Sequence, residues 1–352
     1  MDLTVPVSLK DLIQNRISSA GPVPFEVFME MALYHPNLGF FASDRLRSEK
    51  AGDFLTSPEV SRLFGETLAV YVIRERERVG EPFQLVEVGA GSGSLLRPLL
   101  ANVDVDAMAV EASPAARAAL RGVLPDASIR AGLPERIRGV ILANELIDNL
   151  PMALGQRVGN AWRERWVGRD DHGLIFVDAN PRPEVEAWLE AYAGPVGDGG
   201  WVEVQLAATA WLADALARLE QGSVVLIDYG DTSENLLPRR QDGTLRTYRA
   251  HHLGPHPLDE PGETDITADV NFTALMATAK RAGADVRLLR QEEFLSDLGL
   301  RDRLSESRHT ELAAARAGDE LARLQARSLK IEAETLLHPR GLGDFRVLVI
   351  AI

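Results

Sequence analysis

The chain has 352 residues, enough for a core domain with sizeable additions or for two domains. With 45% apolar and 26% charged residues it has an ordinary globular make-up, and a formal charge of -14 argues against sequence-independent nucleic-acid binding, which depends on neutralising phosphates. The lack of cysteine excludes disulfides and thiolate chemistry, the 7 histidines show no metal-ligand spacing, so no metal is expected, and no apolar run reaches the ~18 residues that span a bilayer.

Residues 1–80 read as a helical cover. Phe25, Phe28, Met29, Ala32 and Leu33 recur at helical spacing and form one apolar face, which the turn Tyr34-His35-Pro36-Asn37-Leu38-Gly39 ends. A charged loop, Ser43 to Lys50, leads into Gly52-Asp53-Phe54-Leu55-Thr56-Ser57-Pro58-Glu59. Ser57 is an expected N-cap with Pro58 at the first helical position, the helix running on through Leu63, Phe64, Leu68 and Tyr71.

Strands are then expected at 83–88, 106–110 and 138–143, with helices after Gly93 and over 114–121, the alternation of a parallel sheet. Strand 224–227 resumes that sheet after some 80 residues. The detour holds alternating pieces at Trp162 to Val167 and Leu174 to Val177 and a helix over 204–219, so 151–219 is expected to be an inserted α+β subdomain within a core of 81–150 and 220–352. A helix over 271–281, a strand at 285–289, one long Arg- and Ala-rich helix over 309–330 and a strand at 345–350 complete the chain.

The chemistry begins at Phe83 to Leu96. Glu87 closes a β-forming run, and Gly89, Ala90, Gly91 and Gly93 let the backbone turn and approach a ligand, with a helix expected to aim its first amides at it. The third glycine falls one residue earlier than in the dinucleotide fingerprint, and the pattern resembles motif I of the S-adenosylmethionine-dependent methyltransferases. Glu111, 20 residues beyond Gly91 at the end of the next strand, is placed to accept from both hydroxyls of a ribose. Methyltransferase and dehydrogenase both fit these residues. The strand at 138–143 ends in Asn144, Glu145 and Asp148, which either face the reactive end of a cofactor or cap a following helix.

Six blocks in order make the chain similar to the MidA-like methyltransferases. They are Gly52 to Glu59, Glu87 to Gly93, Asn144 to Pro151, Ile227-Asp228-Tyr229-Gly230, Gly243 to Arg249 and Pro261 to Thr267, and the stretch from Leu245 to Thr267 looks most like an actinobacterial branch. The resemblance implies an α/β fold: a Rossmann-like seven-stranded class I methyltransferase sheet with its last strand antiparallel, an N-terminal helical cover and an inserted subdomain. It implies S-adenosylmethionine held by Glu87, Gly89, Ala90, Gly91, Gly93, Glu111 and Asn144, with Thr56, Ser57 and Pro58 in a lid. Glu145, Asp148 and Asp53 are the expected catalytic residues, with Glu59 behind them.

The family's mitochondrial member is an arginine methyltransferase required for respiratory complex I assembly, so the implied partner is a protein, such as a respiratory complex subunit. A small-molecule acceptor and a non-catalytic cofactor-binding assembly factor are the alternatives. Arg246, Tyr248, His251, His252, Asp265 and Thr267 form a possible acceptor wall. Two departures bear on the acceptor: Asp231 replaces the histidine many relatives have after Asp-Tyr-Gly, and the helix after Glu111 lacks a frequent glutamine. Without a basic-then-apolar leader, a cytoplasmic protein with no membrane span is expected, its oligomeric state open.

Overall fold

The computed structural model describes residues 8–42, 57–236, 241–249 and 252–352. The chain folds as two compact units, one of residues 54–145, 214–229 and 279–352, the other of 1–53, 146–213 and 230–278.

The first unit is built on a seven-stranded sheet. Its strands are β1 (Gln84–Val88), β2 (Asp106–Val110), β3 (Ser128–Arg130), β4 (Ile137–Asn144), β5 (Leu219–Asp228), β6 (Asp285–Arg290) and β7 (Arg346–Ala351). The order across the sheet is β3-β2-β1-β4-β5-β7-β6. All pairs are parallel except those of β7, which runs antiparallel to both β5 and β6. The chain leaves β1 toward β2 on one side and reaches β4 on the other, so a topological switch point lies beside β1. Register aligns Val88 with Val110 and with Ala143, and Ile227 with Asn144, so the carboxyl ends of the four central strands finish level.

Continuous apolar runs form these strands because helices cover the sheet. Leu85, Ala109, Leu142 and Val225 pack with Leu63, Phe64, Leu68 and Val72 of the helix Arg62–Val79 in one buried cluster. Each leucine, valine or phenylalanine side chain among them contributes about 2 kcal/mol by leaving water. That helix starts later than the sequence suggests. Ser57–Val60 is a single turn, and Ser61 breaks it in extended conformation and accepts from the Leu63 amide at 2.9 Å, so Ser61 and not Ser57 is the cap.

The expected long helix over 309–330 is also two. Leu300–Ala317 ends at Gly318, whose φ of 72° lets its amide return to Ala314, and Asp319 caps Glu320–Leu336 by accepting from Ala322 at 3.0 Å.

In the second unit the helix Phe25–Tyr34 buries the expected face, Phe25, Phe28, Met29, Ala32 and Leu33, against Leu154, Val167 and Ile266. Its antiparallel sheet places Val23–Pro24 beside Ala161–Arg169, then Ala153–Val158, then Trp201–Val204, with Leu174–Ala179 also on Ala161–Arg169. A smaller sheet joins Arg246–Arg249 to His252–Leu253 and Asp265–Thr267. The division differs from the expected one of 1–80, 151–219 and the remainder. Helix Arg62–Val79 packs into the seven-stranded sheet's core, whereas residues 230–278 fold with 146–213 because Ile266, Ala268 and Leu258 share the Phe25 cluster.

One buried ion pair ties this second unit together. Glu164 is fully buried and accepts from the Arg182 Nε and backbone N–H, both at 2.9 Å, while Arg182 Nη1 reaches Glu26 at 2.7 Å. Removing the cation leaves a buried carboxylate without its charge partner. Arg182→Ala should therefore cost about 3 kcal/mol in a denaturant titration; a loss below ~1 kcal/mol would show the pair to be dispensable.

Candidate active site

The glycine turn sits at the carboxyl end of β1, and its shape is set by β2. Gly89, Gly91 and Gly93 have φ of 76°, 52° and 76°, values that L side chains rarely adopt. The Gly89 amide donates to the Val110 carbonyl at 2.9 Å, and the Gly91 amide donates to Glu111 Oε2 at 3.0 Å. Glu111 Oε1 accepts from the Ser113 amide at 2.8 Å, so one carboxylate bridges the turn and the start of the helix Pro114–Val123. Arg117 holds that corner by donating to the carbonyls of Glu111 and Ala112 at 2.6 and 2.7 Å. Sequence spacing marked Glu111 as a ribose acceptor; its contact with the turn itself, and the clamp by Arg117, were not read from it.

The helix expected after the turn is short, Leu96–Leu100, and within the turn the Gly89 and Ala90 amides donate to the Val110 carbonyl at the end of β2 while the Gly93 amide donates to Ala90. The two sides of the turn differ among the described residues. A Cβ on Gly91 would meet nothing nearer than the Gly89 carbonyl at 3.9 Å, whereas one on Gly93 would press on Leu120 at 3.1 Å. Gly93 is thus needed for packing, and the open side lies at Gly91.

Glu87 is 4% exposed, and its Oε2 finds no hydrogen-bond partner among the described residues. Burial first, and the Glu111 carboxylate second, push its pKa up to about 8. Glu87 therefore stays protonated at neutral pH. Asn144 Oδ1 at the end of β4 is likewise buried and unpartnered among the described residues. Open space at Gly91, two orphaned buried oxygens and a carboxylate with spare lone pairs fit a nucleoside carrying hydroxyls and positive charge. Glu87, Gly91, Glu111 and Asn144 are the residues that would hold it.

Glu145 follows with φ of 49°, the one non-glycine residue of positive φ among those described. Its amide donates to the Ile227 carbonyl at 2.8 Å and its carboxylate accepts from Asn144 Nδ2 at 3.1 Å. Asn144 caps no helix; the next element is the three-residue 3-10 turn Ile147–Asn149, whose start has no side-chain cap. Such strain persists where the surroundings impose it, and nothing in the sequence signals it.

The remaining expected residues have the following surroundings. Ser57 is buried and accepts from Gln291 Nε2 at 3.0 Å, with Pro58 beside it half-buried in the same turn. Asp148 belongs to the second unit, where it is buried and accepts from Thr267 Oγ1 at 2.7 Å. There the register sets Arg246 opposite Thr267 and Tyr248 opposite Asp265, so these four share one face, and Asn149 donates to Asp265 at 2.9 Å. His252 is exposed on the edge strand. Asp53, Thr56, His251 and the Glu59 side chain lie outside the described residues. Among the described residues no cluster could hold a metal ion, and no helix is long and apolar enough to cross a membrane. A cavity of about 510 Å³, lined by Arg76, Arg138, Asp106 and Glu220, opens at the opposite, amino ends of the strands.

A sheet of this order, with a glycine turn after β1 and an acid after β2, defines a class I S-adenosylmethionine-dependent methyltransferase. Residues 67–289 match the family described as "Putative S-adenosyl-L-methionine-dependent methyltransferase", and the chain belongs to that MidA-like family. It is 28% identical over 335 residues to the human mitochondrial protein arginine methyltransferase NDUFAF7, covering 82% of this chain and 73% of that protein. The Drosophila melanogaster homologue is 27% identical, over 78% and 71% of the two chains. A Burkholderia thailandensis structure, a likely methyl transferase of the COG1565 superfamily bound to S-adenosyl-homocysteine, superposes with a TM-score of 0.84 at 30% identity, covering 98% of this chain and 92% of that one.

Proposed function

We propose that this methyltransferase modifies arginine side chains of a protein. The observation that carries the reading is Glu145, a carboxylate held in a strained backbone at the end of β4, where open α/β sheets receive their ligands. The acceptor class is supported by the animal relatives, which are named as protein arginine methyltransferases. S-adenosylmethionine supplies an activated methyl group. A guanidinium is cationic at physiological pH, so the protein's task is to grip and orient it and to localise electron density on one nitrogen. Glu145 is the carboxylate for that task, bonding guanidinium N–H groups while Asn144 fixes its Oε1.

Incubating purified protein with methyl-labelled cofactor and host lysate, then sequencing labelled peptides by mass spectrometry, tests the reading. Label on arginine is the expected result. Label confined to small molecules would replace the acceptor class, and cofactor binding without any turnover would favour an assembly role.

A further inference from the structure

Glu87 is an acid placed where ionising it is costly. It is the penultimate residue of β1, two residues before Gly89, and its partners across the sheet are apolar, Ala109 on β2 and Leu142 on β4. Among the described residues Glu111, just after β2, is the charged group that acts on it, and the sign is repulsive. Its buried Oε2 has no donor. Near neutral pH a carboxyl so placed ionises when a cation arrives beside it.

We propose that Glu87 selects the charged form of the cofactor, shedding its proton when the sulfonium S-adenosylmethionine binds and keeping it when the neutral thioether S-adenosylhomocysteine binds. This rests on the reading that the Gly91 turn and Glu111 hold the cofactor. The two ligands share adenine, ribose and amino acid, so the sulfonium charge is what separates them. In the binding step the O–H bond of the Glu87 carboxyl breaks and the proton passes to solvent; no other bond changes. Once the methyl group has gone the carboxylate has lost its counter-charge and takes a proton back from solvent.

Calorimetry of the full-length protein in two buffers of different ionisation heat, from pH 6.5 to 9, tests this. At pH 7 S-adenosylmethionine should release close to one proton more than S-adenosylhomocysteine, and its relative affinity should rise about tenfold per pH unit until about pH 8. Glu87→Gln, uncharged and of the same shape, should erase that difference. Equal proton release by both ligands, or a difference that survives in Glu87→Gln, overturns the proposal while leaving the cofactor site intact. Failure of both ligands to bind the unaltered protein overturns the site itself.

The ligand-free protein gives a second readout. Glu87 is raised from 4.5 to about 8 on folding, so its contribution is complete below pH 4.5 and is lost as the pH climbs through 8. The melting temperature of the unaltered protein should fall relative to Glu87→Gln between pH 4.5 and about 8 and run parallel to it above that; parallel curves throughout would count against a buried, protonated Glu87.

Discussion

Gly91→Val should abolish S-adenosylmethionine binding, at least ~100-fold in affinity, while the protein still folds. The side chain would enter space that no atom of the described residues fills, since a Cβ there lies 3.9 Å from its nearest neighbour among them. The backbone penalty at φ 52° is about 1 to 2 kcal/mol, a few degrees of melting temperature in a chain this long. Gly318→Val is the matched control. Gly318 has φ of 72° and open space around it, so its substitution brings similar strain and should leave binding unchanged. If Gly91→Val binds S-adenosylmethionine normally, the turn is structural and the cofactor sits elsewhere.

Glu145→Gln is expected to reduce methyl transfer about 100-fold with cofactor affinity and fold unchanged, because the amide keeps the Asn144 contact through its oxygen yet lacks the charge that grips a guanidinium. Glu145→Gly sharpens the test. Glycine accepts φ of 49° freely, so this variant should be more stable by about 1 kcal/mol and inactive. Single-turnover rates at saturating cofactor, beside denaturant titrations, measure both quantities. Unchanged turnover in Glu145→Gln would remove Glu145 from the mechanism, and a destabilised Glu145→Gly would show that no strain is held there.

The parallel strands were legible in the sequence because both of their faces are buried. Asp106–Val110 and Ile137–Asn144 lie within a residue of expectation, since an unbroken apolar run leaves little choice of state. The three-residue Ser128–Arg130 was missed; it sits at the sheet edge, half exposed, with no apolar pattern to show it. Local chemistry was also misread where composition drowned it. Gly318 followed by Asp319 is a stop and a start, yet the Arg- and Ala-rich surroundings read as one helix.

At the site, Gly91 and Glu111 were paired by spacing and the structure joins them by a hydrogen bond. Spacing along the chain reports distance between strand ends, which a parallel sheet fixes. It does not report φ at Glu145, the missing partner of Glu87 or the bond from Thr267 to Asp148, because each depends on packing from remote segments.

The way the glycine turn is held has a thermodynamic consequence. Its amides at Gly89, Ala90 and Gly91 already bond to Val110 and Glu111, so the loop has its shape before any ligand arrives. Little chain disorder is left to remove on association, and the entropy of loop closure has been met during folding. Amide hydrogens at these glycines should exchange slowly in the free enzyme, a rare property for glycines on an exposed turn. A receptor of this kind meets its ligand as a rigid mould, and mutations in β2, far along the chain from the glycines, would be felt as lost affinity.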